Sequence, residues 1–215
     1  MKRTGEKKRE RARGRPSNIG AGVLQDRILD CAERLFSERG FAATPVRRIA
    51  KEAGVNPSLV HYYFGSKRDL LFAVMDRVLV PMAEAIAAMQ QSGKAPVGEI
   101  AALMIGMADR HPSLPKLIAR EVMLSSGETQ EIFARDYAPK LGGALPGLLA
   151  REQAEGRLTA DLAPGSAALM LLSLCFFPFI SRPLSEPHMG VSYDREGILA
   201  FSKQIQRVIA RGMKP

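Results

Sequence analysis

At 215 residues, with 46% hydrophobic and 25% charged residues, the chain has the composition of a soluble protein of one or two domains with a sizeable core. Its two cysteines, Cys31 and Cys175, both sit in apolar helical patterns, which excludes a disulfide framework and a thiolate metal site and fits a reducing cytoplasm. The formal charge of +9 is uneven: residues 1–70 hold 16 Lys and Arg against 8 Asp and Glu, the rest 15 against 14. Such an excess implies a polyanion partner for the N-terminal third, nucleic acid before anionic membrane, since basic side chains that neutralise phosphates release counterions.

In chain order, residues 1–20 are basic, punctuated by Gly and Pro, and nearly devoid of apolar side chains; they are expected to form a disordered arm and lack the apolar stretch of a signal peptide. Helical spacing begins with Leu24, Ile28, Cys31, Ala32, Leu35 and Phe36, and Gly40 stands where a left-handed cap would end the helix. Thr44 reads as the N-cap of a short second helix with Pro45 in its first position and Ile49, Ala50 and Ala53 inward, closed by Gly54. Asn56 and Pro57 repeat that signature and open a third helix to Phe64, with Val60 and Tyr63 inward.

Ser66 then caps a long helix with apolar Leu70, Leu71, Val74, Met75, Val78 and Leu79, in which Pro81 predicts a kink before Met82, Ile86 and Met89. Amphipathic segments follow near 97–108, 113–124, 130–155, 165–177 and 194–211. Residues 162–181 carry no charge and approach the length of a membrane span. Pro164, Gly165 and Pro178 shorten the expected helix to about three to four turns, buried at an interface. The predicted fold is all-α: an arm over 1–20, a helix-turn-helix domain over 21–68, and a helical sensing and dimerisation domain over 69–215.

The informative unit is Thr44 to Lys67. Two helices around a tight turn need a small residue at their crossing, a glycine at the turn and apolar locks, and Ala50, Gly54, Val55, Val60 and Tyr63 meet those needs. Pro57, Ser58, Leu59, His61 and Tyr62 are left outward or sideways on the third helix, whose N-terminus could approach phosphate oxygens.

From about Leu24 to Leu71 the chain resembles the DNA-binding domain of the TetR family of regulators. The likeness rests on Phe36, Gly40-Phe41, Thr44, Val46, Arg47, Ile49-Ala50, Ala53-Gly54-Val55, Tyr63-Phe64 and Ser66-Lys67. It departs from the family at Pro45, Ser58 and His61, where Ser or Thr, Gly and Tyr are frequent. The resemblance implies duplex-DNA contacts from Thr44, Arg47, Asn56, Pro57, Ser58, His61, Tyr62 and Lys67, with Thr44, Tyr62 and Lys67 on phosphate. Arg47 and His61 are expected at base edges, where Arg can pair bidentately with guanine. It also implies a helical ligand-binding and dimerisation domain.

In that domain Met82, Met89, Met104, Met107 and Met123 could line an adaptable pocket for an apolar or amphipathic small-molecule effector, with Arg120 as a polar anchor. For the homodimer the candidates are Leu172 and Phe176 in the uncharged helix and Ile198, Phe201, Ile205 and Val208 in the last helix, making a four-helix bundle. Arg13-Gly14-Arg15-Pro16 resembles an AT-hook core, with Arg13 and Arg15 suited to a narrow minor groove. No catalytic, cofactor or metal motif is legible, and His61, His111 and His188 are far apart in sequence. The expected function is a sequence-specific regulator, most simply a repressor, that binds a pseudo-palindromic operator as a dimer and is released by a small ligand. The alternatives are an architectural DNA-binding protein, or a regulator controlled by a protein partner or by redox at Cys175.

Overall fold

The computed structural model describes residues 20–94 and 96–212; the basic arm, with Arg13 and Arg15, lies outside the described residues. Ten α-helices appear, and among the described residues there is no strand. The first three are α1 (Ala21–Arg39), α2 (Val46–Ala53) and α3 (Pro57–Phe64), followed by the long α4 (Lys67–Ser92). The remainder are α5 (Val97–Arg110), α6 (Leu114–Ile118), α7 (Glu128–Asp136), α8 (Leu145–Ala154), α9 (Pro164–Met189) and α10 (Arg195–Gly212).

In the head, α1 packs on α2 and α4, and α3 on α2 and α4. Ile28, Leu35, Phe36, Ile49, Ala50, Val60, Leu70, Leu71 and Val74 form its core, the apolar set that helical spacing selects. Gly54 adopts the left-handed conformation (φ +66°, ψ 35°), with its N–H directed to Ala50 O and Lys51 O, which ends α2 and turns the chain into α3.

Thr44 departs from expectation. It is fully buried, and its hydroxyl donates to Gly40 O at 2.8 Å and Leu35 O at 3.2 Å, so it ties off the end of α1 instead of capping α2. The N-cap of α2 is Pro45, one residue later than predicted. Gly40 has φ +88° and ψ 157°, a region essentially reserved for glycine, rather than the predicted left-handed cap. The fourth helix behaves as its signals say: Ser66 and Asp69 form a reciprocal capping box.

Three other boundaries moved. The segment 113–124 divides into α6 and a π-helical turn (Ala119–Met123). The segment 130–155 breaks between α7 and α8, where Pro139, Gly142 and Gly143 favour turns over helix. The helix expected over 165–177 runs from Pro164 to Met189, through Pro178, Pro183 and Pro187. An interior proline costs about 3 kcal/mol. Burial of Ala167, Ala168, Leu171, Cys175 and Phe179 against α5, α6 and α8 opposes that cost.

By length and composition α9 could cross a membrane. Here its inner face is packed, while Leu169, Met170, Phe177 and Leu184 are exposed on its outer side.

Replacing Thr44 with the isosteric Val should leave two buried carbonyls without that donor and destabilise the protein by about 1–3 kcal/mol. Denaturant unfolding would read the loss, and an unchanged midpoint would contradict this role for the hydroxyl.

Candidate nucleic-acid interface

The predicted contact residues lie on one face of the head, but their chemistry differs. Arg47 is exposed on α2, and among the described residues neither it nor Lys51, one turn on, has an ion pair. Arg48 is committed to Glu52 at 3.5 Å, and Glu52 also binds Arg34 of α1. Those bonds hold the Glu52 carboxyl below its ordinary value and brace α2 against α1. Arg27 Nη2 donates to Ala53 O at 2.7 Å and covers the other end of α2.

On α3, Asn56 Oδ1 accepts from the Ser58 N–H at 3.0 Å and from the Ser58 hydroxyl at 2.9 Å. Pro57 has no N–H, and Leu59 N–H is bonded to Asn56 O. At the start of α3 the first backbone N–H groups and the Ser58 hydroxyl proton are thus already used, and the Asn56 amide is the donor left there for a phosphate oxygen. At the start of α2, by contrast, no side chain caps Val46 and Arg47. Their N–H groups at the positive end of the helix dipole suit a phosphate oxygen. Sequence reasoning missed this because it assigned the cap to Thr44.

His61 Nδ1 lies 2.8 Å from Gly65 O, an atom that can only accept, so Nδ1 carries a proton and is spent within the head. Tyr62 is 80% exposed, an unusual position for an aromatic ring unless something covers it.

Two residues expected on phosphate have partners inside the head. The Thr44 hydroxyl is internal. Lys67 Nζ is turned back on the head, donating to Ala42 O at 3.3 Å and standing 4.4 Å from the centre of the Phe41 ring. Burial lowers the affinity of that amine for its proton.

Behind the head, Glu33 of α1 is buried and accepts from Arg77 Nη2 of α4 at 2.8 Å; His111 Nδ1, at the end of α5, approaches the same oxygen at 3.0 Å. Arg77 also binds Asp30 at 2.6 Å. One carboxylate thus joins the head to two helices of the larger domain.

The predicted pocket residues do not converge. Met82, Met104 and Met107 are core residues, Met89 is half-buried, and Met123 is 67% exposed. Arg120 bonds the end of α1 rather than any cavity. Two open clefts, each of about 780 Å³, lie elsewhere. One is lined by Val97, Arg157, Lys203 and Arg207. The other lies along α4, with Asp76, Leu79, Val80, Ala83 and Tyr137.

The predicted dimer residues also sort differently. Ile198 and Ile205 are buried inside the protomer, where α10 packs on α5, so they face its own core and not a partner. Leu172 is half-buried, in contact range of the turn at Gly142. Phe176 and Phe201 are half-buried flank residues, and Val208 is exposed. Among the described residues no group of His, Cys, Asp and Glu could hold a metal.

This head, with two short helices around a tight turn and an exposed polar and aromatic face, is a helix-turn-helix DNA-binding module on a helical domain. A family model for bacterial regulatory proteins of the tetR family matches residues 28–74. The regulator BetI of Brucella suis is 38% identical over 158 residues, covering 71% of this chain and 79% of BetI. The transcriptional repressor NicS of Pseudomonas putida is 27% identical over 201 residues, 90% of this chain and 94% of NicS.

Among solved structures, a TetR/AcrR regulator of Thermobifida fusca superposes with TM-score 0.58 at 26% identity, covering 87% of this chain and 97% of its own. The fatty acid degradation regulator FadR of Bacillus halodurans shares the fold, with TM-score 0.63 at 18% identity over 90% of this chain and 97% of its own. The chain belongs to the TetR family of transcriptional regulators and is a DNA-binding regulator, not an enzyme.

The buried thiol of Cys175 is pushed up to about 12 by desolvation, which leaves almost no thiolate at neutral pH and argues against a redox switch there. Iodoacetamide at neutral pH should label Cys175 only after denaturation. Rapid labelling of the native protein would revive the redox alternative.

Proposed function

We propose that the protein is a homodimeric repressor. In this reading it grips a pseudo-palindromic operator with α2 and α3 of each protomer and releases it when an apolar or amphipathic small molecule binds the domain beyond Leu70. The observation that carries the reading is the outer face of α9. Leu169, Met170, Phe177 and Leu184 are exposed on a helix with no charge between Leu162 and Ser181, while its inner face is already packed. A second copy offers the same face by two-fold symmetry, and α9 with the Phe201–Val208 flank of α10 from each subunit would form a four-helix bundle. Such a dimer sets two heads on successive major grooves, which explains how short recognition helices achieve specificity.

The printed names of the relatives support repression, NicS being a transcriptional repressor and the structurally similar NalD the secondary repressor of an efflux pump. For release, α4 is the natural lever: it starts in the head at Lys67, carries the Arg77 link to Glu33, and walls the cleft at Leu79, Val80 and Ala83. An effector bound there acts only if its affinity differs between the two arrangements of the heads. The protein works in the cytoplasm, alongside DNA. In the arm, Arg13 and Arg15 add minor-groove contacts at A·T-rich flanks.

Phe177→Arg should place a charge in the bundle and give monomers with weak operator binding, whereas Phe177→Leu should remain dimeric. Light scattering decides, and a dimeric Phe177→Arg protein would defeat this interface.

Within the head, Arg47→Ala should relax preference at one base pair per half-site by about 1–3 kcal/mol. Tyr62→Phe should weaken all sequences alike. Identical base-preference profiles for the two variants would refute the division between base reading and phosphate positioning.

A further inference from the structure

We propose that Arg120 and Glu121, which lie in the larger domain, are positioning residues that fix the orientation of the head and thereby set the half-site spacing the dimer accepts. The proposal rests on the dimeric operator reading above. Its starting point is the π turn that follows α6, in which Leu124 N–H bonds to Ala119 O at 2.9 Å. Such wide turns insert a residue into a helix and recur at functional places. Val122 is buried here, while Arg120 and Glu121 reach the corner between α1 and α2.

Arg120 donates from Nη2 to Arg39 O at 3.0 Å and from Nη1 to Glu38 O at 3.5 Å. Both carbonyls belong to the last turn of α1, where helical donors run out, and the guanidinium stands at the negative end of that helix. Glu121 Oε1 accepts the Phe41 N–H at 3.0 Å and lies 3.5 Å from Arg120 Nε, so the two side chains support each other.

Gly40 lies directly beneath: a Cβ there would stand 2.5 Å from Arg120 Nη2, so the glycine permits the close approach as well as its own positive φ. From the other side Lys67 holds Ala42 O and the Phe41 ring. Phe41 is thus gripped between α4 and the π turn, five residues before α2 begins at Val46.

The interactions are partly exposed, so their weight in global stability is small. Their geometric consequence is larger. They bond to backbone at the corner that leads into α2, whereas the bonds of Glu33 to Arg77 and His111 and the packing of α1 on α4 and α6 lie along α1. Loosening the corner leaves the reading surface intact but frees its angle to the dimer, and matching two heads to two grooves depends on that angle.

The test uses operators selected from a random duplex pool by the wild-type protein, then rebuilt with half-sites one or two base pairs closer or farther apart, at fixed salt. Wild type should prefer its selected spacing by about tenfold or more, a modest part of the usual specific-to-random ratio. Arg120→Ala and Glu121→Ala should flatten that preference to about threefold or less, while affinity for a single half-site and the thermal midpoint stay unchanged. Glu121→Gln, whose amide oxygen still accepts the Phe41 N–H, should restore the wild-type profile.

Retained spacing preference in both alanine variants, or equal losses at every spacing and on the half-site, would overturn the positioning role. Should Arg120→Ala fail to fold, the Glu121 pair decides alone. A wild-type protein indifferent to spacing would instead overturn the dimeric operator reading, and this proposal with it.

Discussion

The corner at Gly40–Thr44 is the constraint on which the head depends. Three helices that share a small core can present a reading surface only if the chain leaves α1 in one direction, and here that direction is set by a buried hydroxyl. Thr44 bonds two carbonyls at the end of α1, and Gly40 takes a backbone conformation other residues avoid. Because the hydroxyl is used inside, α2 begins at Pro45 with its first N–H groups uncapped. One internal hydrogen-bond choice therefore shapes both the fold of the head and the chemistry it shows to DNA.

Charge in the head divides by the same logic. Arg27, Arg34, Arg48 and Lys67 have internal partners that brace the helices. Among the described residues Arg47 and Lys51 have no ion pair, and with His61 and Tyr62 they are exposed. A basic excess in a sequence is thus two populations, one structural and one available to phosphate and bases, and only the second contributes counterion release on binding.

The larger domain is organised around α9, a helix apolar on nearly every side. Its inner face is packed by α5, α6 and α8, and its outer face remains uncovered in a single chain. The three interior prolines leave the carbonyls of Leu174, Phe179 and Pro183 without their i+4 donors. Separately, the Tyr193 hydroxyl ties the end of the chain segment before α10 to Pro178 O at 2.7 Å. The polar contacts of Glu33, Arg77, His111, Arg120 and Glu121 join this domain to the head beside the apolar packing of α1 on α4 and α6.

The sequence by itself determined the all-helical class, the helix-turn-helix unit and its glycine turn, the capping box at Ser66, and the identity of Arg47, His61 and Tyr62 as outward residues. These are local matters, settled by periodicity, caps and spacing within a few turns. Only the tertiary structure decided which candidates were free to act. Thr44 was diverted inward by carbonyls nine and four residues earlier, and Lys67 by a carbonyl 25 residues away. Arg120 moved from a supposed pocket to a clasp on residues about eighty positions distant in sequence. In α9 and α10 the apolar pattern was legible but its facing was not. A stretch apolar all round, as in the first turns of α9, carries no signal for which side meets its own domain, while in α10 the apolar stripe of Ile198 and Ile205 could have faced a partner or the protomer's own core and turned inward. Proline statistics likewise stop a helix only when nothing packs against its continuation, and here three neighbouring helices do.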